Sequence, residues 1–185
     1  MSATKDLIHD HILVNRLGRV AKRCSDLLHC KAVIPIEDIK IISMLIQEFV
    51  DKFHHCKEEN AYFPHMNGKN NYSEDIRKFL IEHGLGRRIA NMLVKSLESW
   101  DNGIESMESV ARFLNAYSVF ITEHTGKEDL FFDLIEEKDN LSGEEHSLLM
   151  KRYNICHNDV GGSVRVEQMT KLIGYLEERE WMRKS

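Results

Sequence analysis

Apolar residues recur along the chain every three to four positions rather than every two, which is the period of a helix with one buried face. Leu7, Ile8, His11, Val14, Leu17, Ala21, Cys24 and Leu28 share one side of a first helix predicted from about Lys5 to His29. Pro35 suits the opening of a second helix, because its missing N–H would have no intrahelical partner there. Pro64 and the stretch Asn67-Gly68-Lys69-Asn70-Asn71 are expected to stop that helix near Phe63. Ser73, followed by Glu74 and Asp75, reads as the N-cap of a third helix running to about Trp100. A break is expected in it near Glu82, since Gly84 and Gly86 each cost about 1 kcal/mol relative to alanine. The fourth helix, about Ile104 to Lys138, carries Phe113, Tyr117, Phe120, Ile121, His124, Glu128, Phe131, Phe132 and Ile135 on its inner face. Ser142 and Glu145 form a capping box that starts a fifth helix to about His157. Asn158, Gly161 and Gly162 turn the chain into a last helix from about Val164 to Trp181.

These elements predict a single all-α domain. Residues of about 5–138 form an up-down-up-down four-helix bundle, and two extra C-terminal helices, about 141–182, pack outside it. A length of 185 residues, 42% of them hydrophobic, suffices for one core and is short for two. The net charge of -5 comes without a basic stripe, so nucleic acid is not expected as a partner. No apolar run reaches the eighteen or so residues needed to cross a bilayer, and Lys5, Asp6, His9 and Asp10 interrupt any signal-peptide core. A cytoplasmic protein is expected. Cys24, Cys30, Cys56 and Cys156 lack close CxxC spacing and are expected to be free, buried thiols.

The polar residues on the inner faces change this picture. His54 and Glu58 stand at i and i+4, about 6 Å apart at Cβ on one helix face, and that face otherwise presents Val50, Ile46, Ile42 and Ile39. His124 and Glu128 repeat the spacing between Phe120, Ile121, Phe131 and Phe132. A buried carboxylate costs several kcal/mol unless a cation or donor compensates it, so two of them call for positive charge between the helices. His11 aligns with Leu7 and Val14, whereas His9 looks toward Lys5, Asp6 and Arg16 and belongs in solvent. His83, with Phe79 and Leu80 before it and Ala90, Val94 and Leu97 after it, is expected to point inward. His11 and His83 lie near helix starts and the other four late in theirs, so at about 1.5 Å rise per residue all six meet at one level of an up-down-up-down bundle. Imidazole and carboxylate together suit iron, zinc or manganese, and carboxylates on a helix pair favour a dinuclear iron site.

Three segments carry a family resemblance: Phe53-His54-His55-Cys56-Lys57-Glu58-Glu59 with Phe63-Pro64, Glu82-His83-Gly84-Leu85-Gly86-Arg87, and His124-Thr125-Gly126-Lys127-Glu128-Asp129. Over about residues 5–138 the chain resembles the hemerythrin-like, HHE cation-binding family. The resemblance implies two iron ions in an oxo- or hydroxo-bridged non-haem centre, with His11, His54, His83 and His124 as terminal ligands and Glu58 and Glu128 as bridges. Oxygen-carrying hemerythrins have a second histidine one turn after the third-helix ligand; Arg87 stands there, and an arginine stays protonated and cannot ligate. His55 is placed to supply the missing imidazole, the alternative being a partly exposed histidine beside Asp51 and Glu59. Arg87 is left either to steady an anionic ligand or to pair with a carboxylate, and Gly84 and Gly86 to give either room for a small molecule or plain tight packing.

The expected function is binding or sensing of dioxygen or a related small molecule such as peroxide or nitric oxide. An enzymatic alternative is peroxide or nitric oxide detoxification, or iron donation in iron-sulfur cluster repair, although the added cysteine-bearing amino-terminal domain of the resembling repair proteins is not seen in this sequence. A third alternative is a metal-free helical interaction module.

Overall fold

The computed structural model describes residues 2–69, 71–104, 106–139 and 141–183; Asn70, in the expected stop after the second helix, lies outside them. The described chain is helical throughout its regular structure. Helix α1 (Ala3–His29) is capped by the Ser2 side chain, which accepts from the Lys5 N–H, and it buries Leu7, His11, Val14, Leu17, Ala21, Cys24 and Leu28 at helical spacing. Pro35 precedes α2 (Ile36–Leu45). The chain then continues without interruption through π-helical stretches at Ile46–His55 and Glu58–Tyr62 and into α3 (Phe63–Met66). Pro64 therefore does not end the helix. It follows directly on a π turn, where the Phe63 N–H already reaches back five residues to the Glu58 carbonyl and the backbone register is changing, so the loss of one donor disturbs no regular α ladder.

Helix α4 (Ser73–Asp101) begins at the expected cap residue itself, with Tyr72 at the cap position and Ser73 inside the helix. It runs unbroken past Glu82. Helix α5 (Met107–Lys138) follows, and α6 (Gly143–Asp159) opens with the expected capping box of Ser142 and Glu145. Gly161 and Gly162, at φ 104° and 77°, make the left-handed turn that an L side chain resists. The expected last helix is divided into α7 (Gly162–Glu177) and α8 (Glu180–Arg183).

Two apolar clusters fill the interior. One contains Val14, Leu17, Val50, Phe53, Ala90, Leu93, Leu114 and Ile121; the other contains Leu7, Tyr62, Phe63, Phe79, Phe131, Phe132 and Ile135. Each long helical segment passes through both, and the order alternates along the chain. Leu7 precedes Val14, Phe53 precedes Tyr62, Phe79 precedes Ala90, and Ile121 precedes Phe131. The polar residues sit between the clusters on every segment, at the seam of two oily layers.

The C-terminal helices return to these layers. Met169, Ile173, Leu176 and Trp181 join the first cluster and Leu149 and Tyr153 the second. Arg16 grips Glu177 through two N–H bonds of 3.0 and 2.5 Å, and Asp38 accepts from both Arg179 and Trp181 at 2.8 Å.

The expectation of four free buried thiols is corrected. Cys56 and Cys156 form a disulfide, and only Cys24 and Cys30 are free, the first buried and the second exposed. The two bridged residues are 100 positions apart, so spacing gave no sign of the pair; docking of α6 on the 36–66 segment brings their Cα atoms to 5.8 Å, within bridging range. Burial pushes the Cys24 thiol up to about 12, which keeps it out of reaction at neutral pH. Titration with a thiol reagent should count one fast thiol in the native protein, two after denaturation and four after denaturation and reduction. Three or four fast thiols in the native state would contradict the bridge. Among the described residues no helix is long and apolar enough to cross a membrane.

Candidate metal centre

The structure brings together all seven residues that the sequence singled out. His11, His54, His55, Glu58, His83, His124 and Glu128 are each 2% exposed or less, while His9 lies in solvent as expected. Their side chains arrive from α1, the 36–66 segment, α4 and α5. The π-helical stretch explains how His54 and His55 both face inward. A wider turn advances each residue by a smaller angle than an α-helix does, so neighbours in sequence fall closer to one face.

Glu58 and Glu128 occupy the middle. Glu58 Oε1 lies 3.7 Å from His11 Nε2 and 3.5 Å from His54 Nε2, and its Oε2 lies 3.4 Å from His83 Nε2. Glu128 Oε2 lies 3.4 Å from His11 Nε2 and 3.2 Å from His124 Nε2, and its Oε1 lies 3.3 Å from His83 Nε2. The donor atoms divide into two groups, His11, His54, Glu58 and Glu128 in one and His55, His83 and His124 in the other, with the atoms of each group within 4.8 Å of one another. The His55 and His83 rings stack at 3.9 Å.

Most of these inward atoms have no hydrogen-bond partner: the Nε2 atoms of His11, His54, His55 and His124, both Glu58 oxygens, and Glu128 Oε2. Buried polar atoms are ordinarily satisfied, so this many orphans at one point indicates a missing partner common to all of them. The donor chemistry, five imidazoles and two carboxylates, fits a pair of cations.

The outward nitrogens show the complementary pattern. Every one of the five Nδ1 atoms faces a carboxylate: His11 to Asp129 at 2.6 Å, His83 to Glu59 at 2.7 Å, His124 to Glu82 at 2.8 Å, and His54 to Asp10 and His55 to Asp51 at 3.4 Å. For His11, His55, His83 and His124 the carboxylate is hydrogen-bonded, which fixes the tautomer with its proton outward and leaves Nε2 free as a donor; His54 Nδ1 makes no hydrogen bond and faces Asp10 at ion-pair distance only. His55 shares the arrangement, which sets it with the other four rather than with surface histidines.

Of these five acids the sequence named only Asp51 and Glu59, as neighbours of His55, yet a signal for most of them was present. Asp10, Glu59, Glu82 and Asp129 each adjoin one of the seven inward residues in sequence. A neighbour in sequence sits about 100° around an α-helix and so serves the adjacent helix rather than its own. Cations hold four of the acids in turn. Arg87 donates to Asp51 at 2.6 Å and Glu59 at 2.7 Å, Lys57 to Asp10 at 2.7 Å, and Lys127 to Glu82. Arg87 is thus committed to carboxylates, and of its two expected roles this is the one the structure shows.

Aromatic rings wall the site: Phe120 stacks on His124 at 5.3 Å and Phe132 on His11 at 5.6 Å. Gly86 exists for the first contact, because a Cβ there would meet Phe120 Cε1 at 2.6 Å, whereas a Cβ at Gly84 would meet nothing within 4 Å. A cavity of about 230 Å³ opens beside the centre, bounded by Asp51, His55, Gly86, Arg87 and Tyr117.

The charge states follow from this packing. Burial and the neighbouring Glu128 push the Glu58 carboxyl up, but the imidazoles of His54, His11 and His83 outweigh them and hold it below the usual range. Burial also opposes ionisation of Glu128, and His124, His11 and His83 keep it well below its ordinary value. Burial and the nearby His83 hold His55 far below the ordinary imidazole value, so it is neutral, the form that binds metal.

A helical fold whose segments converge on buried imidazoles and carboxylates defines a cation-binding class of protein. The model of the hemerythrin HHE cation-binding domain matches residues 2–135, and the chain belongs to that family. No curated protein and no solved structure gives a match. The family match ends within α5, so α6, α7 and α8 lie beyond it.

Proposed function

We propose that this chain is a non-haem di-iron protein that binds or senses dioxygen or a related small molecule, peroxide or nitric oxide. His11 and His54 would hold one ion and His55, His83 and His124 the other, with Glu58 and Glu128 shared between them. The observation that carries this reading is the convergence of five buried imidazoles: the Nδ1 of each faces a carboxylate, the Nε2 atoms of His11, His54, His83 and His124 lie within 3.7 Å of Glu58 or Glu128, and His55 groups with His83 and His124. His55 on this reading stands in for the histidine expected one turn after His83, whose position Arg87 occupies. The alternation of the two apolar clusters along successive segments supports an up-down-up-down four-helix bundle as the scaffold, with the C-terminal helices completing one domain.

Two iron ions bound there would supply reversible one-electron redox chemistry and an exchangeable position for a small molecule. The protein does the rest. The two carboxylates neutralise positive charge in an interior that would otherwise reject it. The outer acids hold each imidazole at its angle. Phe120 and Phe132 limit water around His124 and His11, and the cavity beside His55 gives a small molecule its approach. A cytoplasmic location belongs to the proposal; a disulfide there is rare and usually responds to redox state, which the native thiol count addresses.

Mixing the reduced, iron-loaded protein with dioxygen tests the function. Binding or sensing predicts a visible absorption change that reverses when oxygen is removed. Sustained consumption of peroxide or nitric oxide would instead identify an enzyme, and a silent spectrum from a chain without metal would identify a helical interaction module.

A further inference from the structure

Lys57 lies one residue from Glu58 and is 4% exposed. Its Nζ sits 2.7 Å from Asp10 Oδ2, 2.8 Å from Asp6 Oδ2 and 4.1 Å from the centre of the Phe53 ring. The ring centre of Tyr153, a buried residue of α6, lies 5.6 Å from the ammonium. A lysine this enclosed loses its hydration and side-chain entropy, and the solvent-exposed face of a helix would have held it at no such cost. The residue it neutralises is the clue to its role. Asp10 Oδ2, which Lys57 grips, is the same oxygen that faces His54 Nδ1 at 3.4 Å.

The other histidine of that group provides an internal comparison. His11 Nδ1 has Asp129 at 2.6 Å, and among the described residues no lysine or arginine is paired with Asp129. An imidazole whose N–H is bound to a free carboxylate becomes a more basic donor through its other nitrogen. One whose carboxylate is shared with an ammonium gains less, because the acid's charge is already compensated. His11 is therefore the strongly backed donor of the pair and His54 the weakly backed one.

On the proposed function's premise that iron binds here, we infer that Lys57 sets the electron affinity of the centre by neutralising Asp10 behind His54. Two effects act in the same direction. A weaker His54 donor favours the lower oxidation state, and so does the ammonium's own charge, which offsets the two carboxylates beside it in a site walled by the Phe53 and Tyr153 rings. Lys57 thus holds the centre toward its reduced form, the one that takes up dioxygen. It is a positioning residue, acting through Asp10 and His54. Helix α6, beyond the family match, takes part through Tyr153, whose ring lies 5.6 Å from this buried ammonium.

The test is a spectroelectrochemical titration of the iron-loaded full chain and of Lys57→Met, Lys57→Arg and Asp10→Asn, with iron content and thermal unfolding measured for each. Lys57→Met should shift the midpoint potential to more negative values, Asp10→Asn should shift it to more positive values, and Lys57→Arg should stay near the parent. A purely structural lysine would lower the unfolding temperature and leave the potential of the loaded protein unmoved, which overturns the inference. A shift of Lys57→Met and Asp10→Asn in the same direction overturns it too. Should Lys57→Met fail to fold, Lys57→Gln, which removes the charge but keeps a polar head for Asp10, takes its place with the same expected sign, and an unmoved potential overturns the inference. A parent chain that takes up no metal fails at the iron measurement and removes the proposed function itself; a loaded chain with an unmoved potential removes only the role of Lys57.

Discussion

Glu128→Gln is expected to lower the metal content of the whole centre rather than of one half. Its carboxylate lies within 3.4 Å of His11, His83 and His124, and these belong to both donor groups. A neutral amide at that point can neither bridge two cations nor offset their charge, and burying uncompensated charge costs several kcal/mol. Glu58→Gln should do the same, since Glu58 reaches His11, His54 and His83. Substituting an outer acid is a milder change: Asp129→Asn leaves every inner donor in place and should weaken binding by about 10- to 100-fold. Metal content after gel filtration, with circular dichroism to verify the helices, distinguishes the two. Equal loss from Glu128→Gln and Asp129→Asn would contradict the central placement of the glutamates.

Removal of the metal is the second large effect. A ligand that binds only the folded state at about a thousand times its Kd adds about 4 kcal/mol per site. For a domain of this length each kcal/mol moves the midpoint by about 2–4 °C, so chelation should lower the unfolding temperature by about 8–16 °C for one site and by more for two. The metal-free chain should stay folded. In it Glu58 and Glu128 keep their charge against protonated imidazoles, and carboxylates of Asp129 and Glu128 hold His11 well above its ordinary value despite burial. Protons then stand where the cations would be. A melting curve unchanged by chelator would mean that nothing stabilising occupies the seam between the apolar layers.

Much of this site is legible in the sequence because helical periodicity is a strong constraint. His11, His54, Glu58, His83, His124 and Glu128 fall on inner faces by spacing alone, and a polar residue inside an apolar stripe announces itself. His55 is harder, because an ideal α-helix turns it about 100° away from His54; the π-helical stretch that brings it inward arises from backbone hydrogen bonds that no residue type signals. The outer acids were legible in principle, as neighbours of the inward residues, but their partners lie on other helices and become visible only when the helices are placed. The break expected near Glu82, on account of Gly84 and Gly86, shows the limit of propensity. A cost of about 1 kcal/mol per glycine is small against the packing of α4 on α5, and Gly86 is the residue that lets Phe120 approach. The Cys56–Cys156 bridge depends wholly on how α6 docks, and the sequence carries no trace of that.

The most direct measurement is the number of metal ions per chain, by elemental composition, in the purified protein and in the variant His55→Ala. About two iron ions per parent chain and a clear deficit in His55→Ala are expected, because a carboxylate-backed imidazole has been removed from the three-histidine group. A parent chain with no bound metal, or a His55→Ala variant that retains the full complement, would contradict a di-iron centre built on these seven residues.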